Sequence, residues 1–406
     1  LARVRAPQTV ADIEQAIADV GPRGLLARGL GRSYGDAAQS GGATVLDMTG
    51  VRVIDLDSTA GTVTAGAGAS LDDILRRIVP AGFFVPVTPG TRMITVGGAI
   101  AADVHGKNHH VDGTFGAHVS RLGLVGATGA LSELAPTGAH REEFWATVGG
   151  MGLTGVITDA TFDLIPITSS LISVDTERTA DLDSVMSSMI ANDDRYRYSV
   201  AWIDSVHPSG RGVITRGDHA DISQLPAEQR SSALAYRPKV VATAPPFIPG
   251  RLLNKLTVRA FNEAWYRKAP ARKIAELQPI AEFFHPLDFV QEWNRVYGPG
   301  GFVQYQFVVP DSASDLIETA LRTLQRVGAP SFLTVLKRFG AANPGPLSFP
   351  QPGWTLAADV PAGVPGLGRA LDQLDELVAG AGGRLYLAKD SRQAPDMLAR
   401  TYPRLA

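Results

Sequence analysis

The chain has 406 residues, 45% hydrophobic and 19% charged, which excludes a disordered polymer and exceeds what one core holds, so two domains are expected. A net charge of −2 leaves no footprint for nucleic acid, and the absence of cysteine excludes disulfides, thiolate metal sites and cysteine nucleophiles. There is no run of about 18 apolar residues to span a membrane, and the opening LARVRAPQTV has no apolar signal core. It begins without Met, so an upstream segment that was lost or left out is expected.

Residues 10–19 carry the apolar spacing of a helix. The runs 25–28, 44–48, 61–67 and 156–165 are β-branched or alternating between turn formers, which predicts strands. Ser70 precedes Asp72, Asp73 and the stripe Ile74, Leu75 and Ile78, the pattern of a capped helix over 70–79. Three glycine-dense segments interrupt these elements: ARGLGRSYGD from Ala27, PGTRMITVGGAIAADVHGKNHH from Pro89 and VGGMGLTGVIT from Val148. Glycine lets successive N–H groups converge on an anion, so Gly29, Gly31 and Gly35 fit a phosphate nest; ordinary tight turns are the alternative. Three such segments in one stretch point to a large dinucleotide, most simply FAD. A nicotinamide fingerprint fits poorly, because the second glycine gap is one residue too long and YGDAAQSGGA is too polar and glycine-broken to open a helix.

From about residue 168 the chain changes character and carries four of its five Trp residues. Helical stripes over 181–191, 314–327 and 368–379 alternate with strand-like runs over 301–309 and 331–337, which predicts an antiparallel sheet covered by helices. Residues 217–247 have little periodicity and read as a long surface loop, either a lid over a substrate or a linker. In GGRLYLAKDSR, Tyr386 and Lys389 fall on opposite faces of a regular strand, so a turn or bulge near Ala388 is needed if both reach one site. Lys389 is either a solvated charge or, beside a redox cofactor, a group that stabilises negative charge or moves a proton. His105 is a packing residue or a catalyst. Lys107, His109 and His110 follow it, but Gly106 and Asn108 disfavour the helix that a zinc-binding histidine pair needs, so no metal is expected.

The segments GLGRSYGD, GGAIAADVHGKNHH, FWATVGGMGLTGVI, FFHPLD, EWNRVYGPGGFVQYQF, PLSFPQPGW and GGRLYLAKDSR together resemble the vanillyl-alcohol-oxidase superfamily of flavoproteins. Within it they are most similar to the decaprenylphosphoryl-β-D-ribose 2′-oxidase family, the flavin subunits of a 2′-epimerase that makes the arabinose donor of the cell wall. The likeness runs from about Gly24 to Pro403. It implies an α+β fold: a two-subdomain FAD-binding domain over 1–167, a substrate domain with an antiparallel sheet covered by helices over 168–381, and a C-terminal return to the FAD-binding domain over 382–406.

The resemblance assigns FAD contacts to Ala27, Arg28, Gly29, Leu30, Gly31, Arg32, Ser33, Tyr34, Gly35, Asp36 and Ala37, then to Gly90, Thr95, Val96, Gly97 and Gly98. Ala102, Asp103, Val104, His105, Ile157 and Tyr386 complete the set. Lys389 and His105 become the catalytic candidates. Tyr297, Gln304, Gln306, Lys337 and Lys389 line the substrate, with Lys337 or Lys389 toward its phosphate; Gln304 and Gln306 share a strand face by their spacing of two. Many relatives bind flavin covalently through a histidine at the position of Tyr34 or a cysteine of the second loop. With Tyr34 and no cysteine, non-covalent FAD is expected. Ala357 stands where mycobacterial members carry the cysteine required by covalent nitroaromatic inhibitors.

The implied activity is FAD-dependent oxidation of the 2′-hydroxyl of decaprenylphosphoryl-β-D-ribose to a ketone, with a partner NAD(P)H-dependent keto-reductase and an external electron acceptor such as a quinone. Peripheral membrane association on the periplasmic side is implied, with a cytoplasmic location as the alternative. The competing functions are another sugar or alditol oxidoreductase of the superfamily, or a non-catalytic nucleotide- or lipid-binding protein. The family continues into a further helix beyond the position of Ala406, so a stop there would weaken the flavin domain.

Overall fold

The computed structural model describes residues 2–247, 253–390 and 392–405. Leu1 and Ala406, where the expectations about the two ends fall, and Ser391 of the last motif lie outside the described residues. Three sheets organise the chain. Leu25–Arg28 and Arg3–Arg5 flank Thr44–Asp47 in a small parallel sheet. A five-stranded antiparallel sheet follows in the order Ile54–Asp57, Thr62–Gly66, Val156–Asp163, Val119–Val125, Leu131–Leu134. These sheets, with the helices beside them, form two small α+β units.

Local chemistry accounts for their helices. Ser70 accepts from the Asp73 N–H and Asp73 accepts from the Ser70 N–H, a reciprocal cap worth about 1 kcal/mol over an alanine. That helix, Leu71–Ile78, buries Leu71, Ile74, Leu75 and Ile78 completely, each contributing roughly 1.5–3 kcal/mol of transfer free energy. Thr9 and Asp12 make the same cap for Val10–Ala18.

The third sheet has eight antiparallel strands, ordered Arg272–Pro279, Leu171–Thr179, Gly212–His219, Tyr198–Ile203, Thr334–Phe339, Gly353–Pro361, Phe302–Val309, Arg384–Leu385. Side-chain alternation sorts its two faces. Tyr305, Phe307 and Val309, with Leu336, Trp354, Leu356, Ala358 and Val360, pack under the helices Leu182–Asn192, Asp315–Arg326 and Leu367–Gly380. The opposite face carries Gln304, Gln306, Lys337, Thr355, Ala357 and Asp359, and it looks toward the glycine loops.

Three expectations are corrected. The strand expected from residue 331 starts at Thr334, because the Ser331 hydroxyl donates to the Leu333 carbonyl and holds that stretch as a loop. Residues 217–247 are not a structureless loop: 217–219 finish the strand Gly212–His219, and Ala220, Leu225 and Ala233 bury themselves against Leu171 and Leu277. Isolated apolar residues in short turns leave no periodic signal. Residues 382–406 divide. Leu385 and Met397 join the core of the large sheet, while the turn from Tyr386 to Lys389 lies against the first glycine loop.

Candidate active site

The first loop leaves the strand Leu25–Arg28 with its backbone open. Gly31 has φ +61°, and a Cβ on Gly29 would stand 2.1 Å from the Thr95 hydroxyl, so two chain segments meet there at backbone distance. Thr95 in turn accepts from the Gly98 N–H and starts the helix Val96–Ala101. Among the described residues, the N–H groups of Leu30, Gly31, Arg32 and Ser33 meet no protein acceptor. Donors left unmet on such a loop are what a pyrophosphate requires. The cradle therefore fits the phosphates of FAD.

The second loop is braced from afar. The Thr88 hydroxyl lies 2.8 Å from His285 Nε2, Thr91 donates to Asp288 at 2.7 Å, and Arg92 spans Asp72 and Asp288. The motif FFHPLD thus acts as a strut for Pro89–Gly90, leaving Gly90 with open space around it. Asp103 turns the chain into His105 at φ +40°; its buried carboxylate accepts from the Gly116 N–H, Ser348 and Asn343. Burial still pushes that carboxyl above its ordinary range.

His105 then faces the polar side of the large sheet. Its Nε2 lies 3.1 Å from Gln306 Nε2 and its Nδ1 3.3 Å from Lys337 Nζ, within a wall of Phe339, Phe349 and Tyr386. Burial first, then the neighbouring Lys337, pushes its pKa well below the usual range, so the ring is neutral. A neutral imidazole has one donor and one acceptor. The ring either donates to an uncharged Lys337 and accepts from Gln306, or accepts from Lys337 and donates to a Gln306 whose amide is turned over. Burial, with repulsion from Lys389 and Lys107, lowers Lys337 to about 7, which keeps both arrangements in reach.

Lys389 is delivered by a turn in which its N–H donates to the Tyr386 carbonyl, 3.0 Å away. That turn also places the Ala388 carbonyl on the Tyr34 N–H at 3.1 Å. The ammonium sits 4.4 Å above the Tyr34 ring, beside Asp359 and Asp390. Burial lowers the lysine and raises Asp359, while their mutual attraction works against both shifts. Gln304 donates to Asp359, and Asp390 accepts from the Gln304 N–H at 2.8 Å. The Gln304 carbonyl oxygen, buried in this corner, has no partner among the described residues, and the Tyr297 hydroxyl and the outer Asp359 oxygen, also buried, face each other beside it. Buried polar groups gathered at one point with spare hydrogen-bonding capacity mark where a hydroxylated ligand is received.

The structure therefore brings together Tyr34, His105, Tyr297, Gln304, Gln306, Lys337, Tyr386 and Lys389. Tyr386 stacks on Phe349 and donates to the Ala102 carbonyl at 3.0 Å. Ile157 and Val104 lie in the apolar core, and Gly97 packs on Ala67. Sequence reasoning missed Asp359, Asp390 and Lys107. Asp359 had a signal: a carboxylate inside the strand-like TLAADV, two positions from Ala357 and so on the same face. Lys107 donates to the Phe283 carbonyl and lies 4.0 Å over that ring, and burial lowers it to about 7.

The fold and this site define a FAD-binding oxidoreductase, and residues 1–135 match the FAD binding domain family. Over 404 residues, 98% of this chain and 87% of the relative, the sequence is 43% identical to decaprenylphosphoryl-β-D-ribose oxidase of Mycolicibacterium smegmatis. It is 37% identical over 347 residues, 83% of this chain and 93% of the relative, to an uncharacterized protein of Streptomyces coelicolor. An alditol oxidase of a Streptomyces species is 32% identical over 158 residues, 37% of each chain. The chain belongs to the decaprenylphosphoryl-β-D-ribose oxidase family.

Proposed function

We propose that the protein oxidises the 2′-hydroxyl of decaprenylphosphoryl-β-D-ribose to a ketone, the first half of an epimerisation to the arabinose donor for cell-wall arabinan. In this reading, residues 1–167 hold FAD and 168–381 the substrate. The observation that carries it is the single polar sheet face, where Gln304, Gln306, Lys337 and Lys389 converge beside the FAD-binding loops. Neutral amides suit a pentose hydroxyl array, and cationic amines suit a phosphate. The likeness to the mycobacterial relative spans both parts of the chain, whereas the likeness to alditol oxidase covers a little over a third of it.

Bound FAD supplies the acceptor for the two electrons that leave C2′. The chain does the rest. Gln304 and Tyr297 orient the ribose hydroxyls, and Lys389, kept partly uncharged by burial, takes the hydroxyl proton with Asp359 holding the resulting ammonium. His105, neutral between Gln306 and Lys337, fixes the wall opposite. A ketone left on a lipid-linked sugar calls for an NAD(P)H-dependent keto-reductase as partner, and FAD then needs an external acceptor such as a quinone.

The test is anaerobic bleaching of the flavin spectrum by a polyprenylphosphoryl ribose in detergent, beside simple alditols. Rapid bleaching by the ribose lipid alone is expected, and Lys389→Met should slow it by about 10²–10⁴-fold with FAD still bound. Bleaching by alditols alone would transfer the reading to an alditol oxidoreductase.

A further inference from the structure

The helix Lys255–Lys268 is fastened inward and left bare outward. Asn262, fully buried, donates to Asp204 and to the Ser331 carbonyl, Val258 is buried beside it, and Tyr266 donates to the Thr179 carbonyl. On the outside Leu256, Phe261 and Trp265 are 78%, 48% and 45% exposed, and the last two rings stack 6.2 Å apart. Burying such rings is worth far more than hydrating them, so a helix face that shows them to water expects a partner.

Charge identifies that partner. Residues 255–273 hold six Lys or Arg against one Glu, in a chain of net charge −2. Lys255, Arg259, Lys268 and Arg272 are exposed and, among the described residues, none of them makes an ion pair. Apolar rings beside unpaired cations, three on the helix and Arg272 at the start of the next strand, match the boundary of an anionic bilayer, where rings enter the acyl region and amines meet headgroups. A second copy of this basic face would repel it.

The patch is also continuous with the site. Phe261 meets Phe332 at 5.7 Å, Phe332 meets Tyr297 at 5.6 Å, Tyr297 stacks on Phe302 at 4.1 Å, and Phe302 meets Tyr34 at 5.7 Å. Lys389 stands over the ring of Tyr34. We infer that the helix Lys255–Lys268 docks on an anionic lipid bilayer through Phe261 and Trp265, and that this run of rings guides the prenyl chain between the bilayer and Lys389. The guiding role rests on the proposed substrate; the docking does not.

The test is sedimentation of the FAD-loaded protein with phosphatidylcholine vesicles carrying about 30% phosphatidylglycerol, and with pure phosphatidylcholine. Partition at least about tenfold stronger onto the anionic vesicles, weakened by salt, is expected. Trp265→Ser and the pair Arg259→Glu with Lys268→Glu should each abolish most of it while the flavin spectrum, a reading of the fold, stays unchanged. No sedimentation, equal binding to neutral vesicles, or a dimer that Trp265→Ser dissolves would overturn the docking. The vesicles contain no substrate, so failure here leaves the oxidation reading intact, and failure of bleaching leaves the docking intact.

Discussion

Gln304 donates its side-chain amide to Asp359 across the antiparallel register that pairs the two residues. The bond engages one carboxylate oxygen and leaves the other to Tyr297 and Lys389. Asp359 raises the pKa of Lys389 against the lowering effect of burial. In Asp359→Asn that support is lost, so Lys389 deprotonates at lower pH. The rising limb of the flavin-reduction rate should move toward acid by about one unit. Single-turnover rates across pH measure it, and an unmoved limb would remove Asp359 from the proton path.

Lys337 offers a stability test with a fixed sign. Burial holds it at about 7, below its ordinary 10.5, so the unfolded chain binds the extra proton between those values and this group's contribution to stability rises with pH across that window. Lys337→Met removes the cost of the buried amine. Thermal melts should show the largest gain over the parent protein at about pH 7 and below, fading as pH nears 10.5. A gain independent of pH would mean that the amine titrates in the folded protein as it does in the unfolded chain.

The first two loops approach too closely for any side chain at position 29. A methyl at position 29 would stand 2.1 Å from the Thr95 hydroxyl, which must move and take with it the cap of the helix Val96–Ala101. Gly29→Ala should weaken FAD retention by at least about tenfold, read by flavin fluorescence released on dilution. Unchanged retention would show that the two loops part without cost.

The link between flavin and protein is read from one side chain. Tyr34 occupies the loop with its hydroxyl pushed far above the ordinary range by burial and then by Asp359, a neutral phenol without nucleophilic character. Precipitation with acid should leave the yellow colour in the supernatant. A yellow pellet would reveal a covalent bond.

What the sequence disclosed was local, and what it hid was relational. The Ser70 cap, the strand Leu25–Arg28 and the period-two placement of Gln304 and Gln306 depend on neighbours within a few positions, and they stand as read. The turn near Ala388 followed from strand alternation once Tyr386 and Lys389 were required to reach one site. Asp359 escaped notice because its meaning comes from register with Gln304, 55 positions away. His285 and Asp288 were legible only as part of a motif, since their work is to hold Thr88, Thr91 and Arg92 almost 200 positions earlier.

The bond between Tyr34 and Ala388 joins the beginning of the chain to its final stretch. A ribosome can finish the first glycine loop long before the residues that pin it exist. During synthesis the loop stays unpinned until that turn emerges, so the contact that holds Tyr34 in place is among the last that the growing chain can make.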